Sequence, residues 1–237
     1  MGKNKLSRWA EMETFRNVIQ PGNIENFGVS HPLKGNWKKE VFCNSNPLVL
    51  ELACGKGEYT TGLASRFPAY NFIGLDIKGA RMWRGAKTAI ESNLFNVAFL
   101  RTRIEFINSF FAEDEVDEIW IIFPDPHPGK TNSSKRLTSP WFLNNYRNFL
   151  KNNGIIHLKT DNSELFDYTE ALVTGSDLEI IRRTRDLYSD NPEDEILSIR
   201  THYEKSFLNK GLKINYISFR LNKEKVISDG TPAKQPR

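Results

Sequence analysis

The chain has 237 residues, 39% of them hydrophobic, and 33 Lys plus Arg against 29 Asp plus Glu leave a net charge of +4. No run approaches the ~18 apolar residues of a membrane span, the polar N-terminus lacks the apolar core of a signal peptide, and two cysteines make no disulfide or metal framework. These features argue against a membrane protein and for a soluble protein of the reducing cytoplasm, with a core large enough for one domain plus additions. The basic excess is mild and only compatible with nucleic acid.

In chain order, residues 1–46 read as a basic N-terminal arm, mobile or partly ordered, with Lys3, Lys5, Arg8 and Trp9 followed by Trp37, Lys38 and Lys39. The apolar run Leu48–Gly57, LVLELACGKG, reads as a buried strand turning at Gly55 and Gly57 into a helix over Glu58–Phe67, ended by Pro68. Glycines there let backbone approach a ligand where a side chain would collide. NFIGLD, Asn71–Asp76, is a second strand whose terminal Asp76 stands where a doubly wound sheet places a carboxylate for ribose hydroxyls. A helix from about Gly79 to Asn93 carries a broad basic flank of Lys78, Arg81, Arg84 and Lys87.

The kind of nucleotide is narrowed by what is missing. Thr60 occupies the third glycine position of a dinucleotide fingerprint, and Leu63 stands where a P-loop needs lysine. Glu51, inside the first strand, would repel a pyrophosphate but suits a cation. S-adenosylmethionine meets these demands: adenosine for Asp76, no phosphate, and an amino group and sulfonium beside acids.

Val97–Leu100 is a third strand, followed by Arg103-Ile104-Glu105 where the adenine would lie. Glu118–Phe123, EIWIIF, is a fourth, running into the stiff loop Pro124-Asp125-Pro126-His127-Pro128-Gly129-Lys130. Ligands of open α/β sheets bind at such carboxyl ends, so Asp125 stands where chemistry is expected. After the polar stretch KTNSSKRL, Ser139 as N-cap and Pro140 at the first position start a helix through Lys151. Its stripe of Phe142, Tyr146, Phe149 and Leu150 is core. Asn153-Gly154 turns into the strand Ile155–Lys159, which ends in Thr160-Asp161, and Glu164–Val173 is a helix. Asp161 and Glu164 also have the spacing of a capping box. Leu178–Arg185 and Asn215–Leu221 are the last strands, joined by a long segment, and residues 222–237 read as a flexible tail. Residues 47–221 form the domain.

The order of E-L-x-C-G-K-G-E, F-I-G-x-D, F-P-D-P, K-R-L, K-T-D-N and T-x-Y-E over residues 48–220 resembles the bacterial tRNA (guanine-N7)-methyltransferase family. The resemblance implies a Rossmann-like class I methyltransferase: an α/β, mostly parallel, doubly wound sheet with a closing antiparallel strand. It implies methyl transfer from S-adenosylmethionine to N7 of a guanine in tRNA, at position 46 of the variable loop. Glu51, Gly55, Gly57, Asp76, Arg103, Ile104 and Asp125 would meet the cofactor, with Asp125 also catalytic. Lys130, Asp161 and the Thr201 and Glu204 pair would hold the target nucleotide, and Lys135 with Arg136 would approach RNA backbone. The protein would work as a monomer or homodimer without metal, since the four histidines lack ligand spacing.

Guanine N7 presents a lone pair and no hydrogen, so the enzyme needs alignment rather than a base for the attacking atom. Carboxylates suit guanine because its opposite edge offers N1–H and N2–H donors. The chain departs from the family at His127, usually Trp, and at Gly129, Thr131, Asn132 and Ser133, where the family loop is more basic. Arg103 stands where the family tends to place Asp or Asn, so the adenine amine falls to backbone near Ile104 or to Glu105. Two alternatives stand beside this reading: an exocyclic-amine methyltransferase, given the likeness of F-P-D-P to an Asn/Asp-Pro-Pro-Tyr loop, and an inactive RNA-binding module of the same fold.

Overall fold

A computed structural model describes residues 3–21, 29–190 and 194–228. The chain divides into two compact units, Met1–Val116 and Asp117–Arg237. The side chains of Lys3 and Lys5 and residues 229–237 of the tail lie outside the described set.

The first unit runs α1 (Lys3–Glu13), β1 (Val18–Ile19), β2 (Leu48–Leu52), α2 (Glu58–Arg66), β3 (Asn71–Asp76), α3 (Gly79–Glu91) and β4 (Val97–Arg101). Its strands lie in the order β1-β4-β3-β2 and all pair in parallel. Every residue of β2 and β3 is buried, which is why both read as unbroken apolar runs rather than alternating ones.

Residues of the expected mobile or partly ordered arm pack into this unit. Trp37 is 0% exposed, stacks on Phe111 and donates its indole N–H to Phe110 O at 2.8 Å. A buried indole with its donor satisfied anchors the segment. Glu11 of α1 accepts from Trp83 and Lys87 of α3, at 2.8 and 2.7 Å, while Met12 beside it is buried. Lys87 therefore leaves the basic flank, whereas Lys78, Arg81 and Arg84 stay exposed.

The second unit holds β5 (Val116–Ile122, all but its first residue), α4 (Pro140–Tyr146), β6 (Leu150–Thr160), α5 (Ser163–Gly175), β7 (Ile180–Thr184), α6 (Leu187–Asp190), α7 (His202–Asn209) and β8 (Asn215–Leu221). Its strands lie in the order β5-β6-β8-β7, and β8 runs antiparallel to both neighbours, pairing from Gly154↔Leu221 to Thr160↔Asn215 along β6. Three local expectations change. The helix begun at Pro140 ends at Tyr146, short of Lys151, although its aromatic stripe through Phe149 and Leu150 is buried as expected. Ser139 is the N-cap by backbone, but its hydroxyl donates to Ser134 O at 3.1 Å instead of accepting from the helix. In the expected tail, Ile227 is 3% exposed and its carbonyl accepts from Asn144 at 3.0 Å.

Candidate active site

In the first unit four of the sequence-predicted cofactor residues, Glu51, Gly55, Gly57 and Asp76, gather at the carboxyl ends of β2 and β3. Glu51 is 4% exposed, and its Oε2 accepts from both the backbone N–H of Thr60, at 2.7 Å, and the Thr60 hydroxyl. The α2 N-cap, Gly57, has no side chain, so Glu51 satisfies the third N–H of that helix from the neighbouring strand. Burial pushes the Glu51 carboxyl up to about 8, opposed by the Thr60 bonds and reinforced by Asp76 and Glu58. Asp76, 9% exposed, accepts from Gly55 N at 2.9 Å and Lys78 N at 2.7 Å. It thus ties the glycine turn to the end of β3, and each oxygen keeps lone-pair capacity for a further donor.

The two glycines differ. Gly55 has φ +56°, and a Cβ there would have Ala53 O, 4.0 Å away, as its nearest neighbour. Gly57 has φ +67°, and a Cβ would come within 2.5 Å of Phe99 and 3.2 Å of Gly85. Only Gly55 keeps backbone bare toward open space; Gly57 is required by packing against Phe99 and α3. Gly74 and Gly85 share that role, their Cβ positions lying 2.8 and 2.9 Å from the Phe99 ring. Glycine inside a strand and inside a helix was the available sequence signal for this close approach.

Arg103 is exposed and ion-paired to Glu105 at 3.0 Å, while Ile104 opens a 3-10 turn, Ile104–Ser109. Cys54 is buried and burial pushes its thiol up, which makes it a packing residue rather than a nucleophile.

In the second unit Asp125 is exposed on the loop after β5. The loop is strained at Phe123 and His127, which have φ +48° and +45°, while Gly129 takes +81° without that cost. Non-glycine residues in such conformations cost about 1–3 kcal/mol each and persist only where surroundings over-determine them. Burial pushes the His127 imidazole down, with Asp125 opposing. Lys130 and Lys135 are exposed at the two ends of a 3-10 turn.

Arg136 is not the exposed RNA contact expected. It is 3% exposed, donates to Pro126 O and His127 O at 3.2 Å and to Glu164 Oε1 at 2.6 Å, and lies 4.5 Å over the Tyr168 ring. Glu164 also accepts from Gly129 N at 3.0 Å, and that bond, with Arg136, holds its carboxyl below the usual range. Asp161 does not cap α5. Asn162 does, accepting from Leu165 N at 2.8 Å. That leaves the half-buried Asp161 carboxyl, raised by burial, without the capping task its spacing suggested.

Thr201 and Glu204 form the capping box of α7. Glu204 is 0% exposed and bonds Lys159 Nζ at 2.7 Å and Tyr188 OH at 2.6 Å. Lys159, also fully buried, further donates to Leu197 O at 2.7 Å. Glu204 is thereby occupied with holding α7 to β6, a position from which its carboxylate cannot meet solvent. Among the described residues no group of three or more His, Cys, Asp or Glu could hold a metal, and no helix is long and apolar enough to cross a membrane.

A family described as "Putative methyltransferase" matches residues 45–217. A tRNA (guanine-N(7)-)-methyltransferase of Bacteroides fragilis is 50% identical over 224 residues, 94% of this chain and 88% of the relative. One of Christiangramia forsetii is 50% identical over 220 residues, 92% of this chain and 98% of its own. Among solved structures, the 16S rRNA methyltransferase KamB superposes with TM-score 0.61 at 13% identity, covering 82% of this chain and 98% of that one. A 16S rRNA (adenine(1408)-N(1))-methyltransferase from Catenulisporales acidiphilia, solved with its cosubstrate SAM, gives 0.54 at 14% identity over 84% and 93%. At these identities the structural matches speak for the class I methyltransferase fold alone.

Proposed function

The chain belongs to the tRNA (guanine-N7)-methyltransferase family, and we propose on that premise that its first unit holds S-adenosylmethionine and its second holds guanine 46 of the tRNA variable loop. The reaction is methyl transfer from S-adenosylmethionine to guanine N7. The names of the relatives leave the exocyclic-amine and inactive-module alternatives without support.

The observation that carries the cofactor reading is Glu51. A buried carboxyl raised to about 8 by desolvation is stabilised as the anion by a neighbouring cation. Asp76 retains acceptor capacity for ribose hydroxyls, and bare Gly55 leaves room for a ligand against the backbone. The cofactor supplies an electrophilic methyl group on a cationic sulfur.

The protein's own task is alignment and charge. Guanine N7 carries no proton, so no residue need remove one from it. Asp125 offsets positive charge as it passes to the base, an electrostatic role suited to an exposed carboxylate at a strand end. Asp161 accepts from the guanine N1–H and N2–H edge, Thr201 meets the same nucleotide, and Lys130 and Lys135 meet RNA phosphates. Glu204 and Arg136 position these groups and do not touch the RNA.

The test is transfer of labelled methyl from S-adenosylmethionine to unmodified tRNA, with the product nucleoside identified. The expected product is 7-methylguanosine, absent when guanine 46 is replaced. Asp125→Ala should fold, keep tRNA binding and lose at least ~10²-fold in kcat, the scale of one oriented electrostatic group. A base methylated on an exocyclic nitrogen would overturn the reading.

A further inference from the structure

We propose that Arg136 is a positioning residue that, with Glu164, locks the loop bearing Asp125 into its working conformation. The inference rests on the catalytic role proposed above for Asp125.

Three observations carry it. The guanidinium is buried, and its Nε–H is shared between the carbonyls of Pro126 and His127, the two residues directly after Asp125, at 3.2 Å each. Its Nη2 donates to Glu164 Oε1 at 2.6 Å, and the same oxygen accepts from Gly129 N at 3.0 Å. One Arg–Glu pair therefore grips the loop at residues 126, 127 and 129. One of these anchor points, His127, is itself strained at positive φ, as is Phe123 at the loop's start, while Gly129 supplies the positive φ that a side chain would resist. The third observation is the platform: Tyr168 of α5 lies 4.5 Å under the guanidinium and fixes its plane. Glu164 stands in the first turn of the same helix.

A planar fork with five donors bonds two carbonyls and a carboxylate while stacking on a ring; an ammonium cannot. The Lys135-Arg136 pair is thus divided: Lys135 is exposed and Arg136 is internal.

Arg136→Lys separates this role from RNA contact because it keeps the charge and loses the fork. The expected result is a kcat at least ~10-fold lower with the KM for tRNA and the Kd for S-adenosylmethionine within about twofold, since small misplacements of a catalytic group are expensive in rate. Amide exchange should accelerate over residues 123–130 and stay unchanged over β6. An unchanged kcat and unchanged exchange, with raised KM for tRNA and a shallower salt dependence, would make Arg136 an RNA contact and overturn the proposal.

If Arg136→Lys also abolishes cofactor binding, Glu164→Gln decides. It should lower kcat and speed loop exchange to a smaller degree, and no change in either would sink the idea. If the wild type yields no 7-methylguanosine, the functional reading fails by itself, and the exchange rates still decide whether Arg136 pins the loop.

Discussion

Glu51 and Thr60 are joined twice, one carboxylate oxygen accepting from both the backbone N–H and the hydroxyl of the threonine. The arrangement caps α2 and opposes the burial that pushes the Glu51 carboxyl up to about 8. A cationic ligand favours the ionised form and lowers this value, so the complex binds fewer protons than the free protein. Affinity for S-adenosylmethionine should then rise with pH, by up to about tenfold per unit, and flatten above about 8. Titration calorimetry in buffers of different ionisation enthalpy should find a proton released below that pH. Glu51→Gln should bind more weakly and lose the pH dependence; a pH-dependent variant would clear Glu51 of the role. Stability has the opposite sign. Because the folded value is raised, the contribution is complete below the ordinary 4.5 and is lost as pH rises through about 8.

Gly55 and Gly57 look alike in the sequence but should fail differently. Gly57→Ala forces a side chain at φ +67° into contact 2.5 Å from Phe99. The left-handed backbone costs about 1–2 kcal/mol and overpacking about 1–3 more. Thermal melting should therefore fall by roughly 5–15 °C. Gly55→Ala meets nothing closer than 4.0 Å, so it should lose little stability beyond the backbone term and instead weaken cofactor binding. Equal melting temperatures for the two variants would contradict the packing role of Gly57.

Where the two glycines part company also marks the limit of what the sequence disclosed. The runs around Glu51 and Asp76 were legible because parallel strands buried on both faces are continuously apolar, and the strand Asn71–Asp76 has the bounds its sequence suggests. The choice between Asp161 and Asn162 as helix cap was not legible, because both residue types cap well and sit side by side. The early end of α4 was hidden by Phe149 and Leu150, which continue the apolar spacing after the backbone has turned. Arg136 looked like a surface cation because its partners, Glu164 and Tyr168, come from a different helix. Burial of a charge by long-range contacts has no local signature.

Lys159 and Glu204 are the deepest case of that kind, both at 0% exposure and 2.7 Å apart. Burial pushes the Lys159 ammonium down and Glu204 opposes the shift. Lys159→Met strands a buried carboxylate, which typically costs about 3–5 kcal/mol. Urea unfolding should register that loss, and Lys159→Met with Glu204→Gln should recover much of it, because the amide oxygen can still accept from Thr201 N–H while its NH2 donates to the Tyr188 hydroxyl, without carrying a charge. A double variant no more stable than Lys159→Met alone would mean that the pair is not the coupling between β6 and α7.

Lys130 and Lys135 are the cations of the Asp125 loop left exposed once Arg136 is assigned to its interior. Each phosphate neutralised on a single strand contributes about 0.7 to the slope of log affinity against log salt, and about 0.9 on a duplex. Lys130→Ala with Lys135→Ala should therefore flatten the salt dependence of tRNA binding by roughly 1.4–1.8 if both meet phosphates. Binding should weaken at low salt, and S-adenosylmethionine affinity should not move. An unchanged slope would place both lysines on the solvated surface and shift RNA contact elsewhere. A slope reduced by only half that amount would leave one of them in contact, and the single variants would say which.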